Sequence, residues 1–132
     1  MNENRAHIEG LVPFVHVRDV VKSTEFYERF GFEMTNSYKL QGRRIWCWLQ
    51  RNEARLMLAE TEEPVPADRQ FVLFYLYVND LEDLHQRLTQ AGLEPGPIVP
   101  GPPGPEFSID DPDGYNLMVT GAEALTPSAK RP

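Results

Sequence analysis

The side chains best suited to metal binding or nucleophilic catalysis are few and far apart in this 132-residue sequence. Its three histidines are His7, His16 and His85, and Cys47 is its single cysteine. Because Cys47 lies between two tryptophans in a strand-like segment, its thiol should point away from the tryptophan face, and we do not expect it to act as a nucleophile. The sequence shows no nucleophile–base arrangement, and we predict no catalytic residue.

Two tryptophans, Trp46 and Trp48, alternate along that segment and so share one face of a strand. If Arg51-Asn52 forms a two-residue turn after the strand, Trp46 pairs with Met57 and Trp48 with Arg55. This face then suits stacking on a flat or apolar ligand, while Arg55 either pairs with a ligand carboxylate or stays solvated. The alternative is that the rings belong to the core or to a dimer interface, and the sequence leaves both interpretations open.

An internal repeat determines how these residues are positioned. Residues 17–57 recur as residues 78–118 at a constant offset of 61 residues, which relates Val17 to Val78 and Met57 to Met118. The motif H-V-R-D-V at 16–20 reappears as Y-V-N-D-L at 77–81. Two copies of one unit in so short a chain indicate two half-domains packed together, with a site between them.

Each copy reads as a strand, a helix and three strands, so the predicted fold class is α+β. In the first copy, a strand over 11–18 precedes Asp19, a good helix N-cap, and a helix that runs to Phe30. Gly31 and Gly92 follow the two helices, where left-handed residues are expected. The second helix is marked by one apolar stripe, which consists of Leu81, Leu84, Leu88 and Ala91.

Turn signals and a proline-rich segment mark the remaining strands. Gln41-Gly42 and Asp111-Pro112-Asp113-Gly114 are the clearest turns. Residues 95–105 hold half of the twelve prolines, so we expect a surface loop that touches the cleft rather than an interior strand. The strands predicted beside these turns are 33–40, 43–50, 53–59, 106–110 and 115–120.

The chain is long enough to bury about two-thirds of the surface that its unfolded form exposes. We therefore expect a single domain over residues 1–132. Its predicted divisions are a first module at 11–59, a linker at 60–70, a second module at 71–120 and a tail at 121–132.

Composition limits the classes of partner and compartment. The formal charge of −7 and the pI near 4.9 argue against nucleic acid, whose phosphates need a basic face, and favour a cationic ligand. The sequence has no apolar run long enough to span a membrane, and its start lacks the apolar segment of a signal peptide. Because a single cysteine also suits a reducing compartment, we expect a cytoplasmic protein that binds neither nucleic acid nor membrane.

Three motifs, combined with the repeat, carry a family resemblance. They are V-R-D-V-x2-S-x2-F-Y-x2-F-G-F at 17–32, V-N-D-L at 78–81 and E-F-S-I-D-D-P-D-G-Y at 106–115. In these features the chain resembles the vicinal-oxygen-chelate superfamily, which includes glyoxalase I, extradiol dioxygenases, fosfomycin-resistance enzymes and bleomycin-resistance proteins. The resemblance spans about residues 11–120. It implies tandem βαβββ modules that form a curved, partly open, eight-stranded barrel-like sheet with a cleft.

The resemblance also indicates where a metal ion would be held. Metal-dependent members carry His, Gln or Glu on the first and last strands of each half, and the corresponding residues here are Val12, Met57, Leu73 and Met118. A divalent ion needs oxygen or imidazole donors, so two hydrocarbons and two weak thioethers predict no metal and no cofactor. The methionines would also fit a soft Cu(I) site, although methionine more often fills apolar gaps.

If those four positions face the cleft, their strand neighbours do too. His16 then faces a ligand and donates or accepts a hydrogen bond, or it is simply a satisfied, half-buried histidine. The residues that we predict to line the cleft are Val12, Phe14, His16, Trp46, Trp48, Arg55, Met57, Leu73, Tyr75, Tyr77 and Met118.

Among the relatives, the chain is nearest to the bleomycin-resistance-like members that lack a metal, with one departure. Those members often read P-W-G-x-R-E-F before the last hairpin, whereas residues 102–107 read P-P-G-P-E-F, without the tryptophan and the arginine.

We predict a homodimer that binds a small organic molecule, aromatic or cationic, without a metal ion, as in the sequestration of a drug or metabolite. One alternative is a metal-dependent lyase, isomerase or extradiol-type dioxygenase with ligands one residue out of the assumed register. Another is a metal-free enzyme that uses His16 or Tyr77 as acid or base. Whether the modules pair within a chain or are exchanged between two chains stays open.

Overall fold

The structure, a computed structural model, describes residues 9–63, 66, 73–102 and 104–124. His7, much of the linker predicted at 60–70, the first two residues of the second module and residues 125–132 of the tail lie outside the described residues. The order β-α-β-β-β occurs twice, as predicted, and a 3-10 helix, Ala122–Ala124, follows. The elements are β1 Phe14–Val17, α1 Val20–Glu28, β2 Glu33–Leu40, β3 Arg43–Arg51, β4 Ala54–Glu60, β5 Leu73–Val78, α2 Leu81–Gln90, β6 Val99–Pro100, β7 Pro105–Asp110 and β8 Asn116–Gly121.

The eight strands form two open four-stranded sheets, one in each half. Their strand orders are β1-β4-β3-β2 and β5-β8-β7-β6, with a parallel pair at β1-β4 and at β5-β8 and antiparallel pairs elsewhere. The parallel pairs repeat the same register, because Phe14 lies opposite Met57 and Tyr75 lies opposite Met118. The α+β class and the tandem modules are therefore confirmed.

The first strand is shorter than predicted, because β1 begins at Phe14 and ends at Val17 instead of covering 11–18. Pro13 has no N–H to donate to a neighbouring strand, although its carbonyl accepts a hydrogen bond from the Met57 N–H at 2.9 Å. At the other end, the Arg18 N–H donates to the Asp113 carboxylate at 3.1 Å. Val12 consequently precedes the strand.

Of the two tight turns in the first half, one was predicted at the correct residues. Gln41 and Gly42 connect β2 and β3 with φ of 52° and 79°. The turn after β3 is one residue later than predicted, because Arg51 pairs with Ala54 and Asn52, at φ 53°, takes the left-handed conformation that asparagine tolerates.

The later turn moves the β3–β4 pairing by two residues, which corrects the predicted partners of the tryptophans. Trp48, not Trp46, lies opposite Met57, while Trp46 lies opposite Ala59. Since side chains alternate with a period of two, this shift leaves both tryptophans on the predicted side of the sheet.

The proline-rich segment contributes the two-residue strand β6 at the sheet edge, paired with β7, and its last residue, Pro105, begins β7. Its prolines lack the donors that an interior strand would need. The prediction that 95–105 is not an interior strand is therefore correct except at Pro105, which is the first residue of β7, where proline is tolerated.

Both helices begin after aspartate caps, Asp19 as predicted and Asp80 at the corresponding position of the repeat. The Asp19 carboxylate accepts the Lys22 N–H and the Asp80 carboxylate accepts the Asp83 N–H, each at 3.1 Å. After the helices, Gly31 and Gly92 have φ of 103° and 89°. Among the helices of the described residues, none has the length and apolar character of a membrane span.

The two halves join on the sides of the sheets that carry the helices. The Tyr27 hydroxyl, on α1, donates to the Asp111 carboxylate of the second half at 2.7 Å, and the Ser23 hydroxyl donates to Asp113 at 3.3 Å. The Asp111 carboxylate also accepts the N–H groups of Asp113 and Tyr115, which orders the turn. Buried apolar residues of both halves form one cluster around this joint. The side of each sheet that lacks a helix therefore faces away from the shared core.

Candidate functional site

The side of the β1–β4 sheet opposite α1, which we call the first open face, carries most of the predicted cleft residues of the first half. Residues at alternate positions, such as Val15, Cys47 and Leu58, are buried beneath α1, and their strand neighbours point the other way. This face consists of Phe14, His16, Asn36, Tyr38, Trp46, Trp48, Gln50, Arg55, Met57 and Ala59.

Strand register arranges the first open face in rows that cross the sheet. One row runs from Phe14 through Met57 and Trp48 to Asn36, so Met57 has an aromatic ring on each side. The Trp48 indole N–H donates to the Gln50 side chain at 2.9 Å, which fixes the ring orientation. A flat ligand on this face would rest on Trp48 and Met57.

The corresponding side of the β5–β8 sheet, the second open face, carries Leu73, Tyr75, Tyr77, Glu106, Ser108, Asn116, Met118 and Thr120. The Tyr75 and Tyr77 rings lie 6.1 Å apart between centroids, with 30° between their planes. The Tyr75 hydroxyl donates to Glu106 at 3.4 Å. Loss of solvent and the nearby Glu106 carboxylate raise the pKa of Tyr75.

Glu106 is the residue of this face that the repeat did not reveal. The offset of 61 would place Phe107 at the position of Trp46, but the register places Glu106 there, because Glu106 pairs with Thr120 and Trp46 with Ala59. The second hairpin has a longer loop, residues 111–115, and its third strand is displaced by one residue relative to the repeat. The alternation of E-F-S-I-D at 106–110 was the signal that could have found it.

Of the four positions that correspond to metal ligands, three are divided between the two open faces. Met57 lies on the first face, Leu73 and Met118 lie on the second, and Val12 precedes β1. No group of three His, Cys, Asp or Glu side chains within the described ranges could hold a metal ion. The absence of a metal remains a prediction, which the apolar chemistry of these four residues supports.

Cys47 and His16 differ in their surroundings. The Cys47 thiol is buried beneath α1, 3.4 Å from the Thr24 hydroxyl, and burial raises its pKa, so it has the surroundings of an inert thiol. His16 is exposed rather than half-buried, and its ring meets Phe14 edge-on at 5.3 Å. It is free to contact a ligand on the first open face.

Large apolar side chains are exposed on both faces. Phe14 is 50% exposed, Leu73 48%, and Tyr75 and Tyr77 36% each. Such a concentration on two helix-free sheet faces is typical of interaction surfaces. An apolar pocket of about 300 Å³ borders the second face and is lined by Ile98, Val99, Pro100, Gly101, Gly104 and Pro105.

Comparison with known sequences identifies one family. The sequence model of the Glyoxalase/Bleomycin resistance protein/Dioxygenase superfamily matches residues 6–119. No curated protein sequence matches the chain.

Three solved structures share the fold at low sequence identity. A bleomycin resistance determinant encoded on the transposon Tn5 superimposes with a TM-score of 0.72 and 20% identity, over 88% of this chain and 99% of that one. The bleomycin-binding protein of bleomycin-producing Streptomyces verticillus, complexed with copper(II)-bleomycin, has a TM-score of 0.68 and 24% identity, over 88% and 98%. The fosfomycin resistance protein FosX of Listeria monocytogenes has a TM-score of 0.67 and 20% identity, over 95% and 100%.

Proposed function

The chain belongs to the Glyoxalase/Bleomycin resistance protein/Dioxygenase superfamily, and from this membership we propose that it binds a small, flat organic molecule without a metal ion. The observation that carries the proposal is the pair of open faces lined by exposed aromatic side chains. Tryptophan and tyrosine rings provide large contact areas to flat ligands. Bleomycin-binding proteins are among the solved structures that share the fold.

We propose that the ligand is not bleomycin. The motif P-W-G-x-R-E-F of bleomycin-resistance-like proteins is replaced by P-P-G-P-E-F at 102–107, which removes an aromatic ring and a cation. What the chain retains is the aromatic content of the two open faces.

A second copy of the chain completes the cleft in this proposal. The two open faces of one chain face away from the shared core, so they do not close on one another. In a twofold dimer, the first open face of one chain would lie opposite the second open face of its partner, which gives two identical clefts. The exposed Phe14, Tyr75 and Tyr77 would then be covered.

Complementation between two variants tests this arrangement. Trp48→Ala disables the first open face and Tyr75→Ala disables the second, so each variant alone should bind acridine, a neutral aromatic probe, weakly. When the two are co-expressed, each mixed dimer should regain one intact cleft, and about a quarter of all clefts should bind normally. Sedimentation of the wild type should give about 30 kDa, twice the 15.1 kDa chain.

Complementation distinguishes the alternatives. If the cleft lay within one chain, mixing the variants would restore nothing, because each chain would carry one damaged face. A monomer at micromolar concentration would likewise contradict the dimer. Failure of the wild type to bind any aromatic probe would contradict the proposed function itself.

Elemental analysis tests the metal-free part of the proposal. After expression in metal-replete medium, the purified protein should contain no stoichiometric zinc, nickel, iron or manganese, because hydrocarbon and thioether groups occupy the four ligand positions. One tightly bound divalent ion per chain would instead favour a metal-dependent enzyme of the same superfamily.

A further inference from the structure

Glu106 is an acidic residue buried on the second open face, and the part of the chain that the structure describes gives it no cationic partner. It is 7% exposed. Its carboxylate accepts one hydrogen bond from the described residues, the 3.4 Å contact from the Tyr75 hydroxyl, and no Lys, Arg or His among them lies within ion-pair distance. An ionised carboxylate in such a position is unfavourable unless a cation or several donors compensate it.

Two tyrosine rings lie near Glu106 on the second open face. Tyr77 lies in the same row across the sheet, with Thr120 between it and Glu106, and its ring pairs with that of Tyr75, whose hydroxyl contacts the Glu106 carboxylate. The Thr120 hydroxyl donates to the Pro105 carbonyl at 2.9 Å and so does not serve the carboxylate.

The proline-rich segment packs directly against the Glu106 carboxyl group. A Cβ added at Gly101 would collide with the Glu106 carboxyl group, so a glycine there allows the segment to lie directly against it. Gly101 also lines the apolar pocket of about 300 Å³. An apolar surface therefore adjoins the buried charge.

We propose that Glu106, Tyr75 and Tyr77 form a subsite for the positively charged group of an aromatic organic cation. A carboxylate attracts a cation through its charge, and neighbouring tyrosine rings attract one through their quadrupoles. The inference rests on the proposed function, because it names the class of ligand that the cleft takes. The net charge of −7 favours the approach of such a ligand.

Three probes with one ring system test the charge preference. Acridine is neutral in mildly alkaline buffer, 10-methylacridinium carries a positive charge, and acridine-9-carboxylate a negative one. Fluorescence titration of the wild-type protein should give the tightest binding for 10-methylacridinium. Glu106→Gln keeps the side-chain shape and should weaken binding of this cation by about tenfold or more, while binding of acridine changes by about twofold or less.

Asp110→Asn is the matched control, because Asp110 is on the same strand, points to the same side of the sheet and is exposed. It removes the same charge and should change cation binding by about threefold or less. Unchanged binding of acridine to Glu106→Gln serves as the check that this variant folds. Tyr75→Phe removes the hydroxyl but keeps the ring, and the cation preference should persist.

Each other outcome has a definite meaning. Equal weakening by Glu106→Gln and Asp110→Asn would mean that only the overall charge matters, which overturns the subsite. If Glu106→Gln dissociates the dimer and leaves the preference among the probes unchanged, the cation that pairs with Glu106 is a partner's side chain, and the subsite is again overturned. Binding of all three probes with equal affinity would overturn the subsite and leave the proposed function intact. Binding of none would overturn both.

Discussion

The two open faces have the same backbone frame but different chemistry. Trp46 and Glu106 occupy equivalent places in their sheets. Trp46 pairs with Ala59, two residues after Met57, and Glu106 pairs with Thr120, two residues after Met118. The first face therefore presents indole rings with Arg55 at its edge, and the second presents two tyrosines beside a buried carboxylate.

The buried sides of the same strands have changed much less. Val17 and Val78, Leu58 and Val119, and Leu56 and Leu117 correspond across the repeat at the offset of 61. Packing against a helix limits the volume and polarity of a side chain, whereas an open face tolerates exchange. The repeat therefore preserves the fold, while the side chains of the open faces differ between the two halves.

The largest expected effect is a loss of stability when a side chain on the buried side of a sheet is shortened, compared with one on the open face of the same strand. Leu58→Ala and Leu117→Ala should each lower the free energy of unfolding by about 2–5 kcal/mol, because both side chains are fully buried. Met57→Ala and Met118→Ala, next to them on the open faces, should cost about 1 kcal/mol or less. Urea denaturation measures all four. A similar loss for leucine and methionine variants would show that the open faces are buried in the folded protein.

The second prediction concerns the joint that directs the faces outward. Tyr27→Phe removes the hydrogen bond to Asp111 and leaves a buried carboxylate with one donor fewer, so the free energy of unfolding should fall by about 1–3 kcal/mol. Tyr38→Phe is the control, because Tyr38 is 57% exposed and should give almost no change. Thermal unfolding of both variants provides the comparison. If Tyr27→Phe is as stable as the wild type, the hydrogen bond to Asp111 does not stabilise the joint.

The third prediction distinguishes the two tryptophans of the first open face. Trp48 lies beside Met57 at the centre of the sheet, whereas Trp46 lies beside Ala59. Trp48→Ala should therefore weaken acridine binding by about tenfold and Trp46→Ala by about threefold. This order reverses the one that the predicted turn implied. If neither substitution changes the affinity and acridine leaves the tryptophan emission of the wild type unchanged, the first face contacts a protein surface and not the ligand.

The smallest effect is a pH dependence at the joint. Burial raises the pKa of Asp111 above its ordinary value, although the Tyr27 hydroxyl and two backbone N–H groups oppose this. The folded chain therefore takes up this proton at a higher pH than the unfolded chain. The destabilisation by ionised Asp111 is present near neutral pH and disappears as the pH falls through the folded pKa.

Asp111→Asn removes this titration while keeping an acceptor for the turn. From about pH 7 to about pH 4, the wild type should gain stability relative to the variant in urea denaturation. Parallel pH profiles would contradict a raised pKa at Asp111.

Much of the fold could be predicted from sequence, because its signals are local. Asp19 and Asp80 cap helices through their own carboxylates, and alternation assigns Trp46 and Trp48 to the side opposite Cys47. The repeat predicted the same order of helix and strands in each half. Each of these inferences needs only neighbouring residues or a comparison of two segments.

The tertiary structure alone decided the details that give the faces their character. Asn52 adopts the left-handed conformation that moves the turn by one residue and brings Trp48 to Met57, a choice among turns of similar local energy. Glu106 is brought beside Tyr75 by the pairing of distant strands. The bond between Tyr27 and Asp111 joins residues 84 positions apart and directs the open faces outward. Sequence periodicity determines which side of a strand a residue occupies, but contacts between distant segments determine what that side meets.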